Sequence, residues 1–153
     1  MGIGGYFMKF NGSVKQKEKD MKYTDIKKQQ QNEIDNFPMF FAFNNKQFDE
    51  GMQKLGVADK NELCSTPYGG FIRKKDKDNL RALLLRQREE RESRLKDREF
   101  LIDALVYELN NHEFCYTQDP ENALEALGIS LDNKLHNECY QIAKGLLVQA
   151  DEA

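Results

Sequence analysis

Two short pieces of this chain carry the residue types that could do chemistry: His112-Glu113-Phe114-Cys115 and His136-Asn137-Glu138-Cys139. Each is a His-x-x-Cys, and together they use both histidines and two of the three cysteines. Imidazole nitrogen and thiolate sulfur are preferred ligands of a structural tetrahedral zinc, which takes four of them. On that chemistry His112, Cys115, His136 and Cys139 form the candidate ligand set for a structural Zn²⁺. The spacing differs from the common finger patterns, which pair Cys with Cys and His with His. A packing account fits the same residues. Leu131, Leu135, Cys139, Ile142 and Leu146 recur at helical spacing, which makes Cys139 a small core residue. His112 likewise continues the stripe Leu101, Leu105, Leu109.

Catalytic constellations are missing from the pattern. The chain has no Gly-x-Ser-x-Gly and no His-Glu-x-x-His, since Tyr116 stands where the second histidine of the latter would be. Four protein ligands on zinc would also leave no position for a catalytic water. Cys64, ahead of a Pro-Gly turn, reads as a partly buried strand cysteine, with a reactive thiol or a substitute ligand as alternatives. We therefore expect a protein that is not an enzyme.

The elements that must position these residues follow from the rest of the chain. At 153 residues, with 39% hydrophobic and 32% charged side chains, it is long enough for a core without disulfides. No run approaches the ~20 apolar residues of a membrane span. The N-terminus lacks a charged-then-apolar leader pattern, so the expected location is the cytoplasm and no membrane partner is expected. Residues 1–20 are Gly-rich and then Lys-rich, and read as a flexible tail. A surface helix is expected from Thr24, as its cap, to Asn36. Met39-Phe40-Phe41-Ala42-Phe43, between Pro38 and Asn44-Asn45, reads as a buried strand. Asn44 or Asn45 caps a helix carrying Phe48, Met52 and Leu55, and Gly56 stops it. Glu62 to Ser65 and Phe71 to Arg73 are two further short strands around the turn Thr66-Pro67-Tyr68-Gly69-Gly70.

Asp76 opens a long helical run in which Arg86 to Glu99 holds one apolar residue, Leu95. Alternating charges of both signs suit a solvated helix held by i,i+3 and i,i+4 pairs. Phe100 to Leu109 is apolar nearly all round and reads as the most buried helix. Phe114-Cys115-Tyr116-Thr117 leans toward β. Asp119 and Pro120 open the next helix, Gly128 ends it, and Ser130 caps a last helix from Leu131 to about Gln149. The fold class is thus α+β: a small N-terminal sheet of about three short strands with a helix, then a mainly helical C-terminal half. As domains this divides into a tail at 1–20, a small α/β unit at 21–75 and a helical region at 76–153, the last two expected to form one compact domain.

Charge is unevenly spread. Residues 1–98 carry 21 basic and 15 acidic side chains, whereas residues 99–153 carry 2 and 11. The acidic half suits a basic surface on another protein, with Glu108, Glu113, Asp119, Glu121 and Glu125 as candidate contacts; mutual neutralisation of the two halves is the alternative. Arg73, Lys74, Lys75, Arg88 and Arg91 are candidate phosphate contacts for a nucleic acid. Interspersed glutamates and the lack of interleaved aromatics make the arginine-rich stretch better suited to solvent.

Three stretches carry a resemblance: Asn36-Phe37-Pro38-Met39-Phe40-Phe41-Ala42-Phe43-Asn44 with Gln47-Phe48-x-x-Gly51; Gly69-Gly70-Phe71-Ile72-Arg73-Lys74-x-Asp76; and Glu108-Leu109-x-Asn111-His112-Glu113-Phe114-Cys115-x-Thr117-x-Asp119 with Ala126-Leu127-Gly128. The series resembles a family of small uncharacterised phage and mobile-element proteins of Gram-positive and gut bacteria, over about residues 21–130. It includes His112 and Cys115 but not His136 or Cys139. By analogy, the resemblance implies an antagonist of host defence. Its most concrete form is an anti-CRISPR protein: a non-catalytic inhibitor that binds a Cas9-type nuclease. A nucleic-acid-binding accessory protein of a phage or mobile element is the alternative.

Overall fold

The computed structural model describes residues 20–152. The tail read over 1–20 lies outside the described residues except for Asp20. The elements are α1 (Tyr23–Asp35), α2 (Asn45–Leu55), β1 (Leu63–Ser65), β2 (Phe71–Arg73), α3 (Lys77–Arg94), α4 (Arg98–Asn111), α5 (Phe114–Thr117), α6 (Glu121–Leu127) and α7 (Lys134–Glu152). Single 3₁₀ turns stand at Lys60–Glu62 and Lys74–Asp76. The mainly helical α+β class holds. The sheet among the described residues has two strands, not three: β1 and β2 pair antiparallel, Cys64 opposite Ile72. The described residues form two compact units, one of residues 20–28 with 92–152 and one of residues 29–91, so the boundaries fall within α1 and within α3. The seam expected at 75/76 lies inside the second unit.

In the 29–91 unit the caps of α2 follow from residue chemistry. The Asn44 side chain accepts the Gln47 N–H at 2.8 Å. Gly56 takes the left-handed conformation, φ 69°, and the Gly56 and Val57 N–H groups close on the Gln53 and Met52 carbonyls at 3.0 and 2.9 Å. Phe40, Met52, Leu55, Val57 and Leu63 form this unit's small core, with Phe48 and Phe71 packed against it. Only Phe40 of the expected strand at Met39–Phe43 pairs, by an isolated bridge to Phe71. Its ring covers Gly51, where a side chain would collide with it. Phe41 and Phe43 stay exposed. Only the Phe40 and Ala42 face of this segment packs into the core, so an apolar run became a single bridge.

The other unit is built on α4. Leu101, Ala104, Leu105 and Leu109 are fully buried, packed with Tyr23 and Ile26 of α1, Ala123 and Leu127 of α6, and Cys139, Tyr140, Ala143 and Leu147 of α7. The long helical run breaks at Leu95–Asp97. Asp97 takes an extended conformation and accepts the Phe100 N–H at 3.1 Å, so it caps a new helix ahead of the apolar stretch. On α7 the buried stripe is rotated from the expected one. Cys139 is buried, but its companions are Tyr140, Ala143 and Leu147, while Ile142 and Leu146 are exposed. The helix starts at Lys134, where Asn133 accepts the His136 N–H at 3.2 Å; Ser130 instead caps the turn before it. Phe114–Thr117, read as β-leaning, is one turn of helix. Phe114 is buried edge-on to Tyr140, a contact that overrides the local preference.

Candidate functional site

The segment leaving α4 holds most of the residues that the sequence singled out. Glu108 is only 2% exposed. Its carboxylate accepts from the Tyr23 hydroxyl at 2.6 Å and pairs with Lys27 Nζ at 3.0 Å, and His112 Nε2 lies 3.3 Å away. Lys27 also lies over the Tyr23 and Tyr107 rings, 5.4 and 4.9 Å from their centroids. A buried carboxylate persists only with such donors, because an unpaired one costs several kcal/mol of lost hydration. Glu108 therefore fastens the first turns of α1 to α4. It does not share the solvent-facing position of the four other acidic residues with which the sequence grouped it.

The four candidate zinc ligands have distinct surroundings. His112 lies beside Glu108 as described. His136 Nδ1 is 3.0 Å from the Ser130 carbonyl oxygen. The Cys139 thiol is fully buried, 3.9 Å from the Arg98 carbonyl, and burial pushes its pKa up. Cys115 and Asp151 line one groove, and the Asp151 carboxylate pushes the Cys115 pKa up as well. Among the described residues no group of three or more His, Cys, Asp and Glu side chains is placed to hold a metal ion. Cys64 is a half-buried strand residue with a free thiol.

Beyond His112 the chain makes a tight excursion. Glu113 and Gln118 both take left-handed conformations, φ 58°, on either side of the single turn α5. Non-glycine residues seldom adopt this conformation, so two within six residues fix the path closely. The Gln118 side-chain amide reinforces it, donating to the Phe114 and Cys115 carbonyls at 3.2 Å each. Tyr116, on the outside of this turn, is 90% exposed. Glu113, Asp119, Glu121 and Glu125 are all exposed too. From Glu99 to Asn133 the chain has no lysine or arginine. Tyr116 went unnoticed in the sequence because a lone tyrosine reads as a core residue. The available signal was its place in a stretch without cations.

The basic candidates divide. Arg73 Nε is bound to Asp76 at 2.6 Å, and Arg91 donates to the Gln30 side-chain carbonyl at 2.7 Å. Lys74 and Lys75 are exposed and line a groove of about 420 Å³ with Arg73, Asn61 and Glu62. Arg88 is exposed. None of the helices is long and apolar enough to cross a membrane, among the described residues.

Comparison with known families matches residues 22–146 to a family of unknown function, DUF7659. The chain belongs to this family. The matched span runs past the 21–130 resemblance, takes in all four His and Cys candidates and Tyr116, and ends inside α7. No curated protein and no solved structure matches the chain.

Proposed function

We propose that this DUF7659 member is a non-catalytic binding protein whose acidic surface docks on a basic surface of a partner protein. The observation that carries this reading is Tyr116, 90% exposed on a tightly held turn among the exposed carboxylates Glu113, Asp119, Glu121 and Glu125. Exposed tyrosines on fixed backbone are typical interface anchors, since they bring a large contact area at little entropic cost. Surrounding carboxylates with no lysine or arginine between Glu99 and Asn133 would steer that anchor toward cationic surfaces.

The finer form of the reading makes the partner a CRISPR–Cas nuclease of the Cas9 type, whose nucleic-acid channel is basic. This rests on the phage-family resemblance and on the charge. The test is cleavage by purified Cas9 with its guide, run with wild-type protein and with the variants Tyr116→Ala and Glu113→Lys/Glu121→Lys. The expected result is inhibition by wild type, weakened at least tenfold in both variants, with no retention of free DNA. Uninhibited cleavage removes the nuclease reading. Salt-dependent retention of DNA by the wild type, lost in Lys74→Ala/Lys75→Ala, would replace it with the nucleic-acid alternative. The broader reading is checked by comparing proteins captured from bacterial lysate on wild type and on the charge-reversed variant. Identical captured sets would overturn it.

A further inference from the structure

A second surface, in the 29–91 unit, is open in a way that specifies its occupant. Phe40 exchanges both main-chain hydrogen bonds with Phe71, N–H to O at 3.1 Å and the reverse at 2.8 Å. In an antiparallel pair the residues on either side of such a bridge turn their N–H and C=O groups the opposite way. Those residues are Met39 and Phe41, and their main-chain groups have no partner among the described residues. They form an unpaired sheet edge next to β2.

The usual protection of an edge is missing. No charged residue interrupts Met39–Phe43, and Pro38 stands before the segment and not within it. Phe41 is 55% and Phe43 92% exposed. Met39 and Phe41 pack over Gly70, where an added Cβ would meet the Met39 sulfur at 2.7 Å and the Phe41 ring at 3.1 Å. Gly70 thus lets these two side chains lie close over the sheet. A groove of about 620 Å³ is lined by Met39, Phe40 and Phe41 together with Ile34, Glu50 and Lys54. Asp35 also lines it, so its charged rim has two carboxylates against one ammonium.

We propose that the Met39–Phe41 edge binds an extended segment of a partner protein, apolar at alternate positions and flanked by lysine or arginine, which adds to the sheet as a further strand. Unpaired main-chain groups select an extended backbone, the groove and the exposed phenylalanines select alternate apolar side chains, and the acidic rim selects basic flanks. This site is independent of the acidic surface around Tyr116 and would function whether or not that surface does.

The test is selection of a display library of random short peptides on the full chain, repeated on Phe41→Pro. That substitution removes one edge N–H at an exposed position and leaves the Phe40–Phe71 bridge intact. The expected result is enrichment of alternating apolar peptides with basic flanks. Their affinity should fall about tenfold or more on Phe41→Pro, the equivalent of one hydrogen bond. N-methylation of alternate peptide amides should also abolish binding, while the melting temperature of Phe41→Pro stays near wild type. In the complex the Met39 and Phe41 amides should become protected from hydrogen exchange. Enrichment that is indifferent to Phe41→Pro would overturn the proposal, as would no enrichment at all. Concentration-dependent protection of the same amides without peptide would assign the edge to a second copy of the chain and overturn the partner-peptide reading.

Discussion

Gln30 and Gln87 bind each other reciprocally: each donates its side-chain amide to the other's main-chain carbonyl, at 3.1 and 3.0 Å. Both are buried. The pair anchors a wider polar contact between α1 and α3. Gln87 also donates to Glu33 at 2.8 Å, Arg86 to Glu33 at 2.6 Å, and Arg91 to the Gln30 side-chain carbonyl at 2.7 Å. The charged stretch from Arg86 onward is therefore only partly the solvated helix that its composition implies. One of its faces is joined to α1 by amides.

Gln87→Ala should destabilise the protein by about 2–4 kcal/mol, because it removes the buried hydrogen bonds from its amide to the Gln30 carbonyl and Glu33 and opens a cavity. Gln30→Ala should cost a similar amount, and the double variant clearly less than the sum, since the two side chains serve one contact. Urea unfolding of the three variants measures this. Full additivity would show that the two amides act separately.

Glu33 gives this contact a pH dependence. Hydrogen bonds from Gln87 and then Arg86, with the Arg86 charge, hold its carboxyl below the usual carboxylate range against a smaller opposing effect of burial. A group with a lowered folded-state pKa stabilises the fold above its unfolded value and loses that contribution as pH falls through the folded one. Glu33→Gln should therefore flatten the acid limb of stability against pH and leave its alkaline limb unchanged. Because Glu33 is partly exposed, the change should be less than that of one full proton. Melting temperatures from neutral pH down to about pH 3 test this prediction, the range in which carboxylates titrate.

The legible parts of the chain were those set by local chemistry. Asn44 and Gly56 bracket α2 because an amide oxygen and a left-handed glycine satisfy its ends with no help from elsewhere. Thr66 to Gly70 makes the expected turn for the same reason. What was not legible depended on distant partners. Gln87 is one uncharged residue in a run of charges, and nothing nearby in sequence shows that Gln30 will face it. The start of α4 was hidden because Leu95-Lys96-Asp97 contains no glycine or proline; only Asp97, three residues before Phe100, signals the cap. The stripe on α7 was misplaced because leucine and isoleucine outweighed Tyr140 and Ala143, although these two are the residues buried in the core with α4. Of the candidate site, the acidic surface was readable from composition. Glu108 was not separable from it, since its burial depends on Tyr23 and Lys27 some eighty residues away.

Glu108→Ala should cost about 3–4 kcal/mol, since it removes the buried acceptor of the Tyr23 hydroxyl and the partner of Lys27. Glu108→Gln keeps an acceptor for Tyr23 and should cost less. Tyr23→Phe with Glu108→Leu replaces the network with apolar surface and should be less damaging than the two single losses combined. Chemical denaturation of these variants would disprove the role of Glu108 as a fastener if Glu108→Ala lost under 1 kcal/mol, a loss typical of surface residues.

The last prediction concerns the thiols and zinc together. Cys139 is fully buried with its pKa raised by burial, and the Cys115 pKa is raised by the nearby Asp151 carboxylate. Thiolate is the reactive form, so both should alkylate slowly in the native protein, and Cys139 only through unfolding. A zinc clasp would also protect both, so alkylation alone does not separate the two causes, and a chelator does. The side chains of His112 and His136 have partners in Glu108 and the Ser130 carbonyl, so the protein should hold its fold without metal. The expected outcome is an unchanged melting temperature and unchanged alkylation rates after chelation, with less than stoichiometric zinc by mass spectrometry. One zinc per chain, with a large loss of stability and rapid labelling of Cys115 and Cys139 on its removal, would instead establish a clasp that draws the two His-x-x-Cys pieces together, because metal bound only by the folded state contributes its binding energy to folding.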